Sequence, residues 1–166
     1  MHNLHLLLQR LGEAQFEFVV IGGYAGALHG SSYITDDLDI CAVLLPENVA
    51  RLHTIIADLN PGQGAMRRTF SILDARPVGA PSENLYLETD AGILDAHATV
   101  LGVGDYTRLR KSAEVISFFG RQCPVISLED LITAKEAVGR EKDLLAVKEL
   151  RATAAKRALG GTQRGD

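Results

Sequence analysis

The stretch IGGYAGALHGSSYITDDLDI, residues 21–40, constrains the fold more than any other part of this sequence. An apolar run ends at two glycines, and a second apolar segment begins among three aspartates. Successive side chains of a β-strand point to opposite faces, so Asp37 and Asp39 share one face while Leu38 and Ile40 share the other. The pattern predicts a strand whose apolar face enters the core and whose other face carries two neighbouring carboxylates.

The two carboxylates predict a metal site. Like charges so close together repel, and one of the two groups should have a raised pKa unless a cation lies between them. Mg²⁺, or Mn²⁺ in its place, suits that position, because Mg²⁺ prefers oxygen ligands and keeps several waters. The alternative is that Asp36, Asp37 and Asp39 are turn and strand-edge residues, since an Asp-x-Asp pattern often arises by chance.

Gly22 and Gly23 predict a place where phosphate can approach the main chain. A strand that stops at two glycines and passes into a helix presents backbone N–H groups at a helix N-terminus, which favours phosphate. Glycines also remove the side chains that would clash with the ligand. The alternative is a tight strand-to-helix turn that binds nothing.

Composition narrows the class of protein. The chain has 166 residues, with 46% hydrophobic and 23% charged residues, which is typical of one globular domain. Its net charge of −4 provides no broad basic field for nucleic acid. Cys41 and Cys123 lack the spacing of a zinc site, and no apolar run approaches the roughly 20 residues of a membrane helix. We therefore expect a reduced, cytoplasmic protein that does not enter membranes.

Periodicity and turn residues predict an alternation of helices and strands. Helices are expected at residues 4–11, 24–29 and 46–59, and two more follow the helix-capping residue Ser127, at about 128–138 and 141–159. Strands are expected at residues 16–21, 36–44, 69–73, 84–88, 93–99, 114–118 and 124–126. The predicted organisation is a single domain with an α/β core at 1–126, a packed helical pair at 127–159 and a tail at 160–166.

The segment GGYAGALHG followed by TDDLD resembles the signature of the DNA polymerase beta-like nucleotidyltransferase superfamily. The resemblance is strongest to its small bacterial branch, which includes nucleotidyltransferase toxins and antitoxins of the abortive-infection and minimal types. The matching positions are Gly22, Gly23, Ala25, His29, Gly30, Thr35, Asp37 and Asp39. One position departs from the pattern: the arginine often found two residues before the threonine is replaced by Tyr33.

The resemblance implies further site residues. It implies a third carboxylate on a neighbouring strand, for which Asp95 in GILDAHATV is the candidate, as a third metal ligand or base. The alternative is that Asp95 is an ordinary strand-edge residue. His97 would share its strand face and support the ligands from behind, or it is a packed or solvated histidine with no role in the site. It also extends to the C-terminal segment, where the matching positions are Lys135, Arg140, Lys142 and Asp143. Lys135 and Lys142 would then hold a triphosphate opposite the carboxylates. The alternative is a solvated helical hairpin of mixed charge.

The fold implied is a nucleotidyltransferase fold of the α/β (α+β) class: a small mixed β-sheet flanked by helices, with a C-terminal helical hairpin. The implied activity is metal-dependent transfer of a nucleoside monophosphate from an NTP to an acceptor hydroxyl. The acceptor is left open among an RNA end, a protein side chain and a small molecule. The sequence leaves two alternatives open. One is a catalytically weak or inactive nucleotide-binding member that acts as a sensor or toxin–antitoxin partner, which Tyr33 favours. The other is a purely structural α/β domain.

Overall fold

The computed structural model describes residues 2–61 and 83–162. The helices and strands, in chain order, are α1 (Leu4–Glu13), β1 (Val19–Ile21), α2 (Gly22–Leu28), β2 (Asp37–Cys41), α3 (Pro46–Ile55), a 3₁₀ turn (Ala57–Leu59), β3 (Asn84–Thr89), β4 (Gly92–His97), β5 (Thr99–Val100), β6 (Gly104–Asp105), α4 (Tyr106–Ser112), β7 (Glu114–Phe118), β8 (Arg121–Val125), α5 (Leu128–Val138) and α6 (Glu141–Thr162).

Six strands form one mixed sheet in the order β3-β4-β2-β1-β8-β7. Strand β2 is parallel to β4 and antiparallel to β1, while β1 is parallel to β8. Strands β3 and β7 pair antiparallel with β4 and β8 and close the two edges. The mixed sheet with flanking helices confirms the predicted α/β fold.

The core lies where the apolar face of the sheet meets the helices. Leu38 and Ile40 of β2 are completely buried, so this strand presents the face that the alternation predicts. Helix α1 contributes a stripe of leucines at helical spacing, made of Leu4, Leu7, Leu8 and Leu11. Burial of these apolar side chains is the main stabilising contribution to the fold.

The last two helices form the predicted hairpin. The side chain of Ser127 caps α5 by accepting a hydrogen bond of 3.1 Å from the main-chain N–H of Asp130. Helix α5 ends at Gly139, and α6 folds back along it. In helix α6, Ala146, Val147 and Leu150 are buried. The first half of α6 is therefore packed against the rest of the protein.

Several element boundaries differ from the prediction. Strands β1 and β2 are shorter than expected, and α6 continues to Thr162, so residues 160–162 are helical although they were predicted as tail. Helix α4 was not predicted, although Asp105 caps it by accepting from the N–H of Arg108 at 2.9 Å. The predicted strand at 69–73 and the loop at 76–82 lie outside the described residues. In the described ranges, every helix is too short or too polar to cross a lipid bilayer.

Candidate active site

Three carboxylates meet because of strand register. Strand β2 lies parallel to β4 with Asp39 directly opposite Asp95, and Asp37 precedes Asp39 on the same strand face. On its other side, Asp39 pairs with Ile21 at the end of β1. Side chains directly opposite on neighbouring strands point to the same face. The sheet therefore gathers Asp37, Asp39 and Asp95 on the side away from buried Leu38.

His97 joins this group from the end of β4. Its Nε2 lies 3.6 Å from Oδ1 of Asp39 and 3.5 Å from Oδ2 of Asp95. Its Nδ1 lies 2.9 Å from Oδ1 of Asn84, the residue opposite it on β3. Burial alone would lower the pKa of His97, but the two facing carboxylates outweigh burial and raise the pKa to about 9. In the absence of a metal, His97 is therefore the cation of this cluster.

The cluster still carries more negative than positive charge. The pKa of Asp37 is raised by burial and then by the neighbouring carboxylates of Asp39, Asp36 and Asp95. The ligand atoms of Asp39, Asp95 and His97 all lie within 4.8 Å of one another, while Asp37 stands beside this trio. Carboxylate oxygens suit Mg²⁺ and Mn²⁺. The donor set and its excess negative charge thus fit a divalent cation.

Gly22 and Gly23 make room for the site residues. Gly22 has φ +66°, and a Cβ built there would lie 2.9 Å from Cγ of Asp39 and closer still to Oδ2. A Cβ at Gly23 would lie 3.1 Å from Cβ of Thr35. Helix α2 begins at Gly22, and Ile21 before it provides no capping side chain. The glycines therefore admit Asp39 and Thr35, and Ile21 leaves the first N–H groups of α2 without a side-chain cap.

An open cleft of about 540 Å³ adjoins the carboxylates. Its volume is within the range of small-molecule sites. One wall consists of sheet and glycine-turn residues, and another wall comes from the α5–α6 hairpin. The predicted site residues that line the cleft are Gly22, Gly23, Asp37, Asp39, Asp95, Lys135 and Lys142.

The hairpin wall carries cations held by a buried carboxylate. Asp143 is 4% exposed, and its carboxylate accepts from Nε of Arg140 at 2.6 Å and lies 3.8 Å from Nζ of Lys135. Burial lowers the pKa of Lys135, while the carboxylates of Asp143 and Asp39 act in the opposite direction. Lys142 also lines the cleft. The lining of the cleft therefore contains both the carboxylates and these cations.

Comparison with solved structures identifies the architecture. The proposed nucleotidyltransferase TM1012 from Thermotoga maritima is 20% identical, with 88% of each chain covered and a TM-score of 0.57. The lincosamide antibiotic adenylyltransferase LnuA, solved with lincomycin bound, is 16% identical over 91% of this chain and 96% of LnuA, with a TM-score of 0.63. The antibiotic-resistance factor ANT(2'')-Ia is 16% identical over 98% of this chain and 96% of its own, with a TM-score of 0.51.

The chain has the nucleotidyltransferase fold. At these identities the likeness establishes the fold alone. No family model matches the chain, and no curated protein matches it. Neither the toxin–antitoxin branch nor the acceptor is identified by these comparisons.

In this nucleotidyltransferase fold, the structure brings all seven predicted site residues to one cleft. Their binding and catalytic roles stay predictions. Tyr33, which replaces the expected arginine, also lines the cleft and is 51% exposed. Its loop is tied to α6, because Glu149 accepts from the hydroxyl of Ser31 at 3.0 Å and from the N–H of Ser32 at 2.7 Å.

Sequence reasoning missed two contributors to the site. Asn84 bonds to His97, but an asparagine at the start of a strand carries no local signal of that contact. Glu149 holds the loop that carries Tyr33, although the two residues are far apart in the chain. Each depends on pairing between distant segments, which short-range patterns do not specify.

Proposed function

We propose that this protein transfers a nucleoside monophosphate from an NTP to an acceptor hydroxyl and releases pyrophosphate, with Mg²⁺ or Mn²⁺ as cofactor. The observation that supports the proposal best is the convergence of Asp37, Asp39 and Asp95 beside a cleft, within a nucleotidyltransferase fold. A purely structural domain has no need for three carboxylates placed where they repel one another.

Each wall of the cleft has a distinct task in this proposal. Asp37 and Asp39 would hold the divalent ions, and Asp95 would help to hold the ion on the acceptor side. When bound, the ions neutralise the triphosphate and favour ionisation of the acceptor hydroxyl. The N–H groups that begin at Gly22 contact phosphate oxygens. The residues themselves contribute mainly by positioning the two substrates and by neutralising charge.

The hairpin wall binds the triphosphate. Lys135 and Lys142 line the same cleft as the carboxylates, so their ammonium groups are available to a triphosphate bound there. Asp143 favours the charged form of Lys135, against the effect of burial, and keeps its ammonium group in place. Lys135 is thereby suited to contact phosphate without a large rearrangement.

The acceptor proposed first is a small molecule with a hydroxyl group. Among similar structures, LnuA has lincomycin bound, and ANT(2'')-Ia has been solved with adenylyl-2''-tobramycin, at 16% identity and a TM-score of 0.50. An RNA end and a protein side chain are the other two classes of acceptor to be tested. The inactive sensor or toxin–antitoxin alternative is not favoured, because all three carboxylates proposed as catalytic line the cleft.

The test is transfer of label from each of the four α-³²P-labelled NTPs, with Mg²⁺ or Mn²⁺. Acceptors are a lincosamide, an aminoglycoside, a short RNA and a cell extract. We expect a labelled product and pyrophosphate with at least one combination. The Asp37→Asn, Asp39→Asn double variant should give neither, and should also lose the rise in melting temperature that metal plus NTP produces in the wild type.

The matched control is Asp58→Asn, which removes a carboxylate that pairs with Arg10 on the surface. It should retain both transfer and the melting-temperature shift. Label transfer by the double variant at the wild-type rate would show that these carboxylates are not catalytic, and the proposal would be wrong.

A further inference from the structure

The imidazole of His97 is placed as a metal ligand would be. Its Nε2 faces Asp39 and Asp95 at 3.6 and 3.5 Å. These separations exceed the usual 2.7–3.2 Å of a hydrogen bond. By contrast, the ligand atoms around one ion lie about 3 to 3.5 Å apart when each bond is about 2.1 Å. The two separations of His97 are thus close to those of ligands around one ion, and all three ligand atoms lie within 4.8 Å of one another.

Asn84 fixes which nitrogen faces the carboxylates. Its Oδ1 lies 2.9 Å from Nδ1 of His97, and an amide oxygen only accepts, so Nδ1 carries a proton and donates. The remaining nitrogen, Nε2, then points at Asp39 and Asp95. Histidines that bind metals usually donate their second N–H to such an acceptor, which sets the tautomer and the ring orientation. The contact of Asn84 is thus the outer contact expected of a metal-binding histidine.

Two carboxylates around a nitrogen lone pair repel it unless something positive lies between them. A proton on Nε2 meets that need, and so does a divalent ion. We infer that His97 binds the divalent ion directly through Nε2, beside Asp39 and Asp95, and that this nitrogen ligand makes the site prefer Mn²⁺ to Mg²⁺. The inference rests on the proposed function in one respect, namely that a divalent ion binds this cluster.

The preference follows from the chemistry of the donor set. Mg²⁺ prefers oxygen ligands and gives up its waters reluctantly. Mn²⁺ also suits carboxylates, but as a first-row transition ion it accepts nitrogen ligands more readily. A site made of Asp39, Asp95 and His97 adds a nitrogen to two carboxylates, so the nitrogen favours Mn²⁺.

The direct test is pulsed electron paramagnetic resonance of Mn²⁺ bound to the full-length protein without nucleotide. A coordinated imidazole produces a coupling between the Mn²⁺ spin and ¹⁴N, whereas carboxylates and water produce none. We expect that coupling in the wild type and in His53→Gln, which removes a histidine of α3 away from the cleft. We expect its loss in His97→Gln.

Affinities measured by titration give a second readout. His97→Gln should weaken Mn²⁺ binding by at least about tenfold, with little change for Mg²⁺. Asn84→Ala should weaken Mn²⁺ binding by about tenfold, in the range found for outer contacts of metal-binding histidines. Asn84→Ala should keep the ¹⁴N coupling. His97→Gln should keep the circular dichroism of the wild type.

The two proposals fail in different ways. Mn²⁺ bound to the wild type without ¹⁴N coupling, or no Mn²⁺ binding at all, would overturn the role of His97. Label transfer in that situation would leave the proposed reaction standing. A clear ¹⁴N coupling in a protein that transfers no label would instead support His97 as a ligand and count against nucleotidyl transfer.

Discussion

The carboxylate of Asp39 occupies the space in which a side chain at position 22 would begin. Gly22 has φ +66°, a conformation that costs other L-residues about 1–2 kcal/mol. Gly22→Ala should lower the free energy of unfolding by at least that amount, because the new methyl group also overlaps Asp39. It should abolish transfer as well, since Asp39 must move. Urea unfolding and the labelled-NTP assay measure the two effects.

Gly120→Ala is the control for this substitution. Gly120 has φ +74°, and a Cβ there meets no atom within 4 Å, so the variant has only the backbone cost. Its free energy of unfolding should fall by about 1–2 kcal/mol, and its transfer activity should be unchanged. Equal activity of the two variants would show that Gly22 is not needed to position Asp39.

Tyr33 is a second residue whose identity can be tested, in this case by gain of function. It lines the cleft at the position where the resemblance expects arginine. A new charge-assisted contact contributes about 1.5–3 kcal/mol. Tyr33→Arg should therefore tighten NTP binding by about tenfold or more, as measured by isothermal titration calorimetry.

Ile34→Arg is the matched variant, because it adds the same charge to the same loop. Ile34 is 88% exposed and is not among the described residues that line the cleft. Its NTP affinity should stay close to that of the wild type. If both arginine variants bind NTP equally well, a general charge effect explains the gain, and position 33 does not contact the phosphates.

At the scale of the elements, the stability of the α5–α6 hairpin depends on the ion pairs of Asp143 with Lys135 and Arg140. Burial alone would raise the pKa of Asp143, but Arg140 and Lys135 outweigh burial and lower it below its ordinary 3.8. A lowered pKa stabilises the folded state above the unfolded pKa, and this contribution disappears as the pH falls through the folded value. The ion pairs of Asp143 should therefore stabilise the hairpin at neutral pH.

Asp143→Asn should lower the free energy of unfolding by about 2 kcal/mol at pH 7, because it leaves Lys135 without its buried partner. The difference from the wild type should shrink below pH 3.8, and urea unfolding at pH 7 and pH 3 measures it. Glu141→Gln, which removes an exposed acid from the same helical turn, should cost less than about 1 kcal/mol. A difference that stays constant with pH would contradict the proposed ion pairing.

At the scale of the whole molecule, α6 connects the cleft to the far edge of the sheet. His29 is buried, and its Nε2 donates to the carbonyl of Ile126 at 2.7 Å. Its Nδ1 accepts from Arg157 at 3.0 Å, and Arg157 also donates to Glu114 of β7 at 3.1 Å. Through Arg157, helix α6 therefore holds both the end of α2 and an edge strand.

Arg157→Ala should lower the free energy of unfolding by about 1–3 kcal/mol, because Nδ1 of buried His29 loses its donor. NTP affinity should not change, since Arg157 is not among the described cleft residues. Arg151→Ala removes an exposed ion pair with Glu136 from the same helix and should cost less than about 1 kcal/mol. Equal losses in chemical unfolding would show that the contact with His29 is not important for stability.

The sequence by itself determined the parts of this protein that depend on near neighbours. Alternation of apolar and polar residues predicted the buried face of β2 and the shared face of Asp37 and Asp39. Ser127 and Gly139 predicted the limits of α5. Helix α4 escaped prediction because its only clear signal is the cap at Asp105. Asp95 was reached only through a family resemblance, because a single aspartate in a strand has no distinctive local pattern.

Only the tertiary structure decided which of these groups meet. The register of β2 against β4 sets Asp39 opposite Asp95, and the register of β3 against β4 sets Asn84 opposite His97. A shift of one residue in either pairing would turn the side chains to the other face. Register results from packing of the whole sheet and not from the strand sequences alone. For that reason, the position of His97 between two carboxylates could be known only from the folded chain.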